Sequence, residues 1–190
     1  NAPACVSPPG GNKPMLGTNP ISMSVPSENN GIAFQFDQST SAIAIGKIRV
    51  AAANGEEIPE GWAVDIDGNP TTDPKEALEG SLLSSGGYKG FGFGLMAEIL
   101  SSALTGSLSS VDAPALKTTD GKPHDLGQSY VLINPNFNGD SHHFFEKLND
   151  LSNLISIQSN TRLPGSKKNS LDTVSIHSDL WEVVNNLSKK

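Results

Sequence analysis

Positive charge, cysteine and long apolar runs are scarce in this sequence, and each scarcity excludes a class of protein. The chain has 13 Lys and Arg residues against 20 Asp and Glu, and its net charge of −7 argues against a nucleic acid or a membrane surface as partner. Cys5 is the only cysteine, so a disulfide framework within the chain is excluded. No apolar run reaches the roughly 20 residues that a membrane-spanning helix needs. We therefore expect a cytoplasmic protein, and its composition is compatible with a small anionic ligand.

The chain of 190 residues is long enough for one large domain, and it begins without an initiator Met. Its start, Asn1-Ala2-Pro3-Ala4, looks like the interior of a longer protein. Residues 1–30 are rich in turn formers and hold little that would drive a core. Composition leaves open whether this stretch is a polar linker.

Three stretches have the residue pattern of strands. Residues 32–36 alternate, which predicts a half-buried strand. Residues 43–53 are apolar and β-branched around Gly46-Lys47, and they fit either a helix that leads into a strand or one bent strand. A further strand is predicted at residues 129–133.

A short helix is predicted to begin after Asp73. Asp73 can cap it, Pro74 suits the first helical position, and Glu76 completes a capping box. The pattern ends near Gly80.

Three longer helices follow. Residues 93–104 are apolar nearly all round, with Glu98 as the one charge, and this pattern predicts a buried helix. Residues 142–155 and 179–187 have apolar side chains at helical spacing. Because strands and helices are mixed without a regular βαβ period, we predict an α+β (mixed α/β) fold with a mostly antiparallel sheet.

The strongest local signal is the glycine-rich run at residues 86–94. Glycines let a backbone approach a phosphate closely, N–H groups at a helix start attract anions, and Lys89 would add a positive charge. The alternative is a tight turn that packs against a helix. The stretch from Gly92 to Ala97 fits the loose pattern G-x-G-x-x-A, but no strand precedes it, which argues against a Rossmann fold.

A second cationic candidate is the basic turn Arg162-Leu163-Pro164-Gly165-Ser166-Lys167-Lys168. Its arginine could grip a phosphate through two parallel hydrogen bonds. A solvated loop between two helices is the alternative, and the local chemistry favours it. None of the four His is spaced like a metal ligand, and residues 65–69 fit a plain Asp-Gly turn better than a calcium loop.

Six motifs, in this order and spacing over nearly all of the chain, resemble the type 2 malate/L-lactate dehydrogenase family. They are Pro9-Gly10-Gly11 with Leu16-Gly17-Thr18-Asn19-Pro20; Asp37 to Ser41 followed by Gly46-Lys47-Ile48; Ile58-Pro59 with Gly61-Trp62-Ala63 and Asp65; Gly68 with Pro70-Thr71-Thr72-Asp73-Pro74; Gly86-Gly87-Tyr88-Lys89-Gly90; and Arg162-Leu163-Pro164-Gly165.

The resemblance implies an oxidoreductase that moves a hydride between nicotinamide and the C2 position of a 2-hydroxy or 2-oxo acid. It implies NAD or NADP as cofactor, a homodimer, and a non-Rossmann cofactor domain with a mostly antiparallel sheet flanked by helices. We assign residues 1–140 to the NAD(P)-binding domain and 141–190 to a C-terminal helical segment that packs back on the catalytic side. The Gly46-Lys47-Ile48 motif favours malate/oxaloacetate, while other 2-hydroxy acids stay open.

The resemblance also implies roles for residues of this chain. Thr18 corresponds to the substrate-contacting threonine of the family. At residues 162–168, where the local chemistry favours a solvated loop, the resemblance implies a nucleotide-binding loop instead. The cofactor-binding positions that it implies are Asp37, Gln38, Ser39, Lys89, Arg162, Pro164, Gly165, Ser166 and Lys168.

The catalytic His and the substrate-binding Arg of the family precede the region that matches this chain. The resemblance therefore implies no catalytic residue within the 190 residues and no turnover by this chain alone. Two hypotheses follow. The chain is part of a dehydrogenase that an upstream segment completes, or it is a non-catalytic nucleotide-binding fragment or scaffold.

Overall fold

The fold combines helices with two small antiparallel sheets. The computed structural model describes residues 1–29, 31–115, 123–136, 139–166 and 173–187. In chain order its elements are β1 (Ile21–Pro26), β2 (Ile32–Gln38), α1 (Ile45–Asn54), β3 (Ala63–Val64), α2 (Pro74–Glu79), β4 (Ser81–Leu82), α3 (Tyr88–Glu98), a π-helical turn (Ile99–Ala103), α4 (His142–Ser156) and α5 (Ser178–Leu187). The α+β prediction is confirmed at this level, whereas the non-Rossmann cofactor domain and the division at residue 140 stay predictions.

The hydrophobic core lies around α1, α2 and the sheet of β3 and β4. These two strands pair antiparallel, with Ala63 opposite Leu82. Ile48 of α1 has no exposed surface. The buried members of the core are Val6, Leu16, Ile48, Ala51, Ile58, Ala63, Ala77 and Leu82.

Residues 1–30 contribute to this core, so the expectation that they would not is wrong. Val6 and Leu16 are 2% and 5% exposed, and each donates its amide to the carbonyl of the other, at 2.8 and 3.1 Å. A turn between them is closed by the Gly11 amide on the Pro8 carbonyl at 2.9 Å. Farther along, β1 pairs antiparallel with β2, from Ile21 opposite Gln38 onwards. The composition of residues 1–30 did not reveal that Val6 and Leu16 would be buried, because their burial depends on pairing with other segments of the chain.

One short helix settles a question that the sequence pattern left open, and the other begins as predicted. The stretch at 43–53 contains the helix α1 and no strand, so the strand in both alternatives is wrong, and Gly55 ends the helix in the left-handed conformation with its amide on the Ala51 carbonyl. Asp73 caps α2 as predicted, accepting from the Lys75 amide at 2.7 Å.

The predicted capping box of α2 is wrong. The Asp73 amide donates to Thr71 Oγ1 at 3.0 Å, and Thr71 Oγ1 in turn donates to Glu76 Oε2 at 2.6 Å. The hydroxyl of Thr71 therefore stands between the two groups that a capping box would join directly, and it satisfies both.

No strand forms at residues 129–133, so that prediction is wrong. The side chains of residues 130–133 are at least 80% exposed, and none of the described residues pairs with their backbone as a strand. The β-branched composition was right for a strand, but a strand also needs a neighbouring edge with which to exchange hydrogen bonds.

Helix α3 was predicted to be buried all round, and this prediction is wrong. Its buried residues are Gly90 and Gly94, and the π-helical turn after it buries Ser101 and Ser102. A Cβ atom at Gly94 would lie 3.0 Å from Thr40 Oγ1, so the missing side chain is what lets the helix approach so closely. Phe91 packs against the core, whereas most of the other large apolar side chains of this segment point outward. Those more than 50% exposed are Tyr88, Phe93, Ile99 and Leu104.

The predicted helices near the C-terminal end are confirmed as α4 and α5. Among the described residues of these two helices none is buried. No helix in the described part of the chain is both long and apolar enough to cross a membrane.

Replacing the central core residue tests this account of the core. Ile48→Ala should lower the free energy of unfolding by about 2–5 kcal/mol, because it leaves a cavity where no surface is exposed. The matched control is Val50→Ala on the same helix, where the side chain is 60% exposed, and it should change stability by no more than about 0.5 kcal/mol. Urea denaturation measures both, and equal effects of the two substitutions would contradict the assignment.

Candidate functional site

Thr40 joins three of the segments that the sequence motifs single out. Its amide donates to the Thr18 carbonyl at 2.9 Å, and its Oγ1 donates to the same carbonyl at 3.1 Å. Its own carbonyl accepts from the Ser85 amide at 2.9 Å. The Thr18 loop, the end of β2 and the chain that leads into α3 therefore meet at one residue.

The end of β2 presents polar side chains beside this junction. Asp37 and Gln38 are exposed and Ser39 is half-buried. Ser41 Oγ donates to the Ile43 carbonyl at 2.9 Å and lies 3.1 Å from Ser39 Oγ. The serines thus fix the backbone after the strand, while the carboxylate of Asp37 and the amide of Gln38 face solvent.

The start of α3 has the features of an anion site. Gly86 and Gly87 both have positive φ, 66° and 65°, and a Cβ atom at either position would meet no other atom within 4 Å. The amides of Tyr88 and Lys89 lie in the first helical turn, where the helix itself supplies no acceptor. Lys89 is exposed, and no carboxylate of the described residues pairs with it. Helix dipole, free amides and ammonium therefore all favour a negative charge here.

A cavity of about 440 Å³ opens beside the start of α3. Its wall includes Trp62, Ser84, Ser85, Gly86 and Gly87. This volume lies within the range of small-molecule sites. A second depression, of about 480 Å³, lies along α4 and is lined by none of the residues of the predicted site.

The loop that begins at Arg162 lies against β2. The Gln35 amide donates to the Pro164 carbonyl at 3.5 Å, and a Cβ atom at Gly165 would be 2.8 Å from the Gln35 carbonyl oxygen. Gln35 precedes Gln38 by three residues, which is about 10 Å along a strand. The structure thus brings this loop to β2, although at the middle of the strand and not at its end.

The side chains of this loop are arranged for solvent or a ligand. Arg162 is exposed and has no ion pair with the described residues. Ser166 Oγ donates to the Leu163 carbonyl at 2.7 Å, which stabilises the turn. Lys168 lies outside the described residues.

A polar network that the sequence did not predict lies behind Thr18. Asn19 has no exposed surface, and its Nδ2 donates to Glu98 Oε2 at 2.8 Å and to the Gly94 carbonyl at 3.1 Å. Glu98 also accepts from the Ser110 amide at 2.6 Å and from Ser110 Oγ at 2.5 Å. Burial alone would raise the pKa of Glu98, but the hydrogen bonds from Ser110, Asn19 and Asn1 outweigh it and hold the pKa below its ordinary value.

Cys5, the one cysteine, is not a nucleophile at this site. Burial raises its pKa to about 11, and a hydrogen bond from the Thr18 backbone only partly offsets this effect. At neutral pH the group is a thiol, which is the unreactive form. Within the described ranges, no three His, Cys, Asp or Glu side chains are grouped so that they could hold a metal ion.

The sequence motifs located the residues on the surface of the site but not the residues that hold them in place. Thr40 lies inside the motif from Asp37 to Ser41, yet nothing in its residue type indicates that three segments meet there. Glu98 did leave a signal, because a single charge in an apolar helix needs partners. Ser110 left no such signal, since its hydrogen bonds to Glu98 depend on how the chain folds back against α3.

Comparisons with known proteins agree with the motifs. A family model described as malate/L-lactate dehydrogenase matches residues 1–174. A Delta(1)-pyrroline-2-carboxylate reductase of Ancylobacter novellus is 40% identical over 167 residues, which cover 86% of this chain and 48% of the relative. A (2R)-3-sulfolactate dehydrogenase (NADP(+)) of Chromohalobacter salexigens is 37% identical over 171 residues, 90% of this chain and 50% of the relative.

A solved structure shows the same similarity in three dimensions. The sulfolactate dehydrogenase from Methanocaldococcus jannaschii superposes with a TM-score of 0.85 at 34% identity, covering 99% of this chain and 58% of that one. The chain thus spans about half the length of the curated relatives that it matches.

The hydrogen bonds to Glu98 predict a pH dependence of stability. Since the folded chain holds the pKa of Glu98 below the ordinary value of 4.5, the carboxylate stabilises the fold above that value and loses this contribution as pH falls through the lower, folded pKa. Glu98→Gln should therefore be less stable than the parent chain at pH 7, and the difference should shrink as pH falls below 4.5.

Urea denaturation over this pH range measures the effect. The control is Glu57→Gln, which removes the same charge from an exposed loop position and should leave the pH profile unchanged. A Glu98→Gln profile parallel to that of the parent would show that the network does not hold the charged form.

Proposed function

Because the chain belongs to the malate/L-lactate dehydrogenase family, we propose that it serves NAD(P)-dependent hydride transfer between nicotinamide and the C2 position of a 2-hydroxy or 2-oxo acid. The observation that carries the proposal is the junction at Thr40. It places a threonine loop, a polar strand end and a cationic helix start side by side. A substrate carboxylate and a cofactor pyrophosphate are the anionic groups that such a surface suits.

The start of α3 fits the phosphates of a dinucleotide. Lys89 and the first-turn amides would hold the pyrophosphate, and the open surface at Gly86 and Gly87 leaves room for it. The exposed carboxylate of Asp37 suits a ribose hydroxyl, and Gln38 and Ser39 add donors beside it. The loop with Arg162, Pro164, Gly165 and Ser166 would contribute a second cationic contact from the side of β2. When bound, the nicotinamide supplies or accepts the hydride.

Thr18 is the residue that we assign to the substrate carboxylate. Its carbonyl is engaged by Thr40, whereas the described residues give its half-buried hydroxyl no hydrogen-bond partner. Reduction of a 2-oxo acid builds negative charge on the carbonyl oxygen, so a proton donor must lie close to it. His142, His143 and His177 are exposed on or beside α4 and α5, and His124 Nε2 lies 3.0 Å from the Pro114 carbonyl oxygen, so no His of the described residues is hydrogen-bonded to the candidate site. We therefore assign the proton donor to a segment outside these 190 residues or to a second chain.

Malate/oxaloacetate is the substrate pair that we propose first, from the Gly46-Lys47-Ile48 motif. Sulfolactate, like malate, carries a second anionic group, and pyrroline-2-carboxylate shares the carboxylate next to the reacting carbon. A panel of oxaloacetate, the 2-oxo acid of sulfolactate and pyrroline-2-carboxylate with NADH and NADPH, assayed with the full-length protein and read by nicotinamide absorbance, tests the class and the cofactor together. We also propose a homodimer, which the uncovered apolar side chains of α3 support.

Removing the ammonium at the start of α3 should weaken cofactor binding. Lys89→Ala should reduce the affinity for NADPH by about 1–3 kcal/mol, the range of a charge-assisted contact. Lys75→Ala, an exposed lysine on α2, is the matched control and should bind like the parent. Calorimetric titration measures both, and an unchanged affinity for the Lys89 variant would overturn the phosphate assignment.

Removing the hydroxyl of Thr18 should affect substrate and spare cofactor. Thr18→Val keeps the shape of the side chain. It should weaken the binding of oxaloacetate by about 1–3 kcal/mol, the scale of a hydrogen bond to a charged group. The titration adds oxaloacetate to the chain saturated with oxidised cofactor, because these two oxidised compounds cannot react with each other. In a preparation that is active, the KM for oxaloacetate should rise by the same factor. Thr72→Val, at an exposed loop position, is the control. If Thr18→Val lowers only the stability, Thr18 is a turn residue.

A further inference from the structure

We infer that Glu98 and Asn19 are positioning residues that hold Thr18 in place for the substrate carboxylate. The inference rests on the proposed function, since it takes Thr18 as the substrate contact. The residues that flank Thr18 on either side are both tied to one carboxylate, and that carboxylate lies at the far end of the helix whose start is the proposed phosphate site.

The tie on the Asn19 side is direct. The buried side chain of Asn19 donates to Glu98 Oε2 and to the Gly94 carbonyl, and its Oδ1 accepts from the Ala2 amide at 3.1 Å. Its backbone has φ of 34°, a left-handed conformation that asparagine tolerates better than most residues. The amide group therefore fixes a bend directly after Thr18.

The tie on the other side passes through Ser110. The Gly17 amide donates to Ser110 Oγ at 3.0 Å, and the same hydroxyl donates to Glu98 Oε2 at 2.5 Å. Ser110 is 1% exposed, so water does not compete for these hydrogen bonds. Gly17 and Asn19 are thus both held by the Glu98 carboxylate. These contacts fix the backbone on both sides of Thr18, so that mainly its side chain is free to rotate.

Helix α3 connects this support to the cofactor side. Lys89 lies in its first turn and Glu98 is its last residue, about 14 Å apart along a helix axis. Gly94 keeps the helix against Thr40, whose amide and hydroxyl both donate to the Thr18 carbonyl. One rigid element therefore sets the distance between the phosphate site and the carboxylate site.

Introducing a second carboxylate next to Glu98 tests the inference. In Asn19→Asp two carboxylates would meet where an amide now donates to Glu98, and like charges at this distance favour sharing a proton. Burial lowers the pKa of the nearby Asn1 α-amino group below its ordinary value of 8.0, so this group is mostly neutral at pH 8 and does not offset the second carboxylate there. Displacement of Thr18 should therefore be larger at about pH 8 than at about pH 5, and the double variant Asn19→Asp/Glu98→Gln should remove this pH dependence.

The first measurement follows the Thr18 methyl group by NMR in the chain with ¹³C-labelled threonine methyls, with Thr18→Val to identify its signal. We expect the signal to move in Asn19→Asp and to return toward the parent position in the double variant. Thr71→Val, which breaks the hydrogen bond to Glu76 away from the site, is the control and should leave the signal in place. An unmoved signal in folded Asn19→Asp, or an equal shift in the control, overturns the inference.

The second measurement is the affinity for oxaloacetate with oxidised cofactor present. Asn19→Asp should weaken it about three- to tenfold at pH 8, the scale of one lost hydrogen bond, with cofactor affinity unchanged. A moved Thr18 signal with unaltered oxaloacetate affinity overturns the inference. If the full-length protein binds no 2-oxo acid, the proposed function fails, while the NMR result still decides whether the network holds Thr18.

If Asn19→Asp does not fold, Ser110→Ala replaces it. This milder change cuts only the link through Gly17 and should move the Thr18 signal in the same experiment. A folded Ser110→Ala with the parent signal would then overturn the inference.

Discussion

The carboxylate of Glu98 is the group on which the position of the C-terminal end of α3 depends. The helix turns Gly90 and Gly94 toward the rest of the protein, Phe91 in its first half packs against the core, and most of its other large apolar side chains are exposed. A glycine contact buries little apolar surface, so the hydrophobic effect contributes little to holding the second half of the helix. Hydrogen bonds of Glu98 with Asn19 and Ser110 hold this end and connect the beginning of the chain, the helix and the segment that follows it.

This arrangement separates stability from function along the chain. The apolar core belongs to α1, α2 and the sheet of β3 and β4, where Ile48 has no exposed surface. The candidate site lies where that core ends, at the junction of Thr18, Thr40 and Ser85, and polar contacts hold it together. A site built on hydrogen bonds has defined geometry, because each bond requires both distance and angle. Such a site suits the recognition of a carboxylate and a pyrophosphate at a fixed separation.

Sequence patterns were most informative where the determining contacts are local. Helical periodicity located α4 and α5, and Asp73 with Pro74 marked the start of α2, since caps and turns are formed by neighbouring residues. The strand expected at residues 129–133 failed because pairing needs a distant partner. The buried positions of Val6 and Leu16, and the hydrogen bonds of Asn19 and Ser110 to Glu98, depend on segments far apart in sequence. Family motifs supplied Thr18 and Lys89, but neither motif nor periodicity showed what supports them.

The central claim is that Thr18, the end of β2, the start of α3 and the Arg162 loop form one ligand-binding surface. A titration of NADPH into the ¹⁵N-labelled chain, followed by the chemical shifts of its backbone amides, tests this claim most directly. We expect saturable shifts at residues 37–39, 86–90 and 162–166, and further shifts at Thr18 when oxaloacetate is added. Shifts confined to the depression along α4, around Asp140, Phe144 and Leu151, would contradict it, as would the absence of saturable shifts.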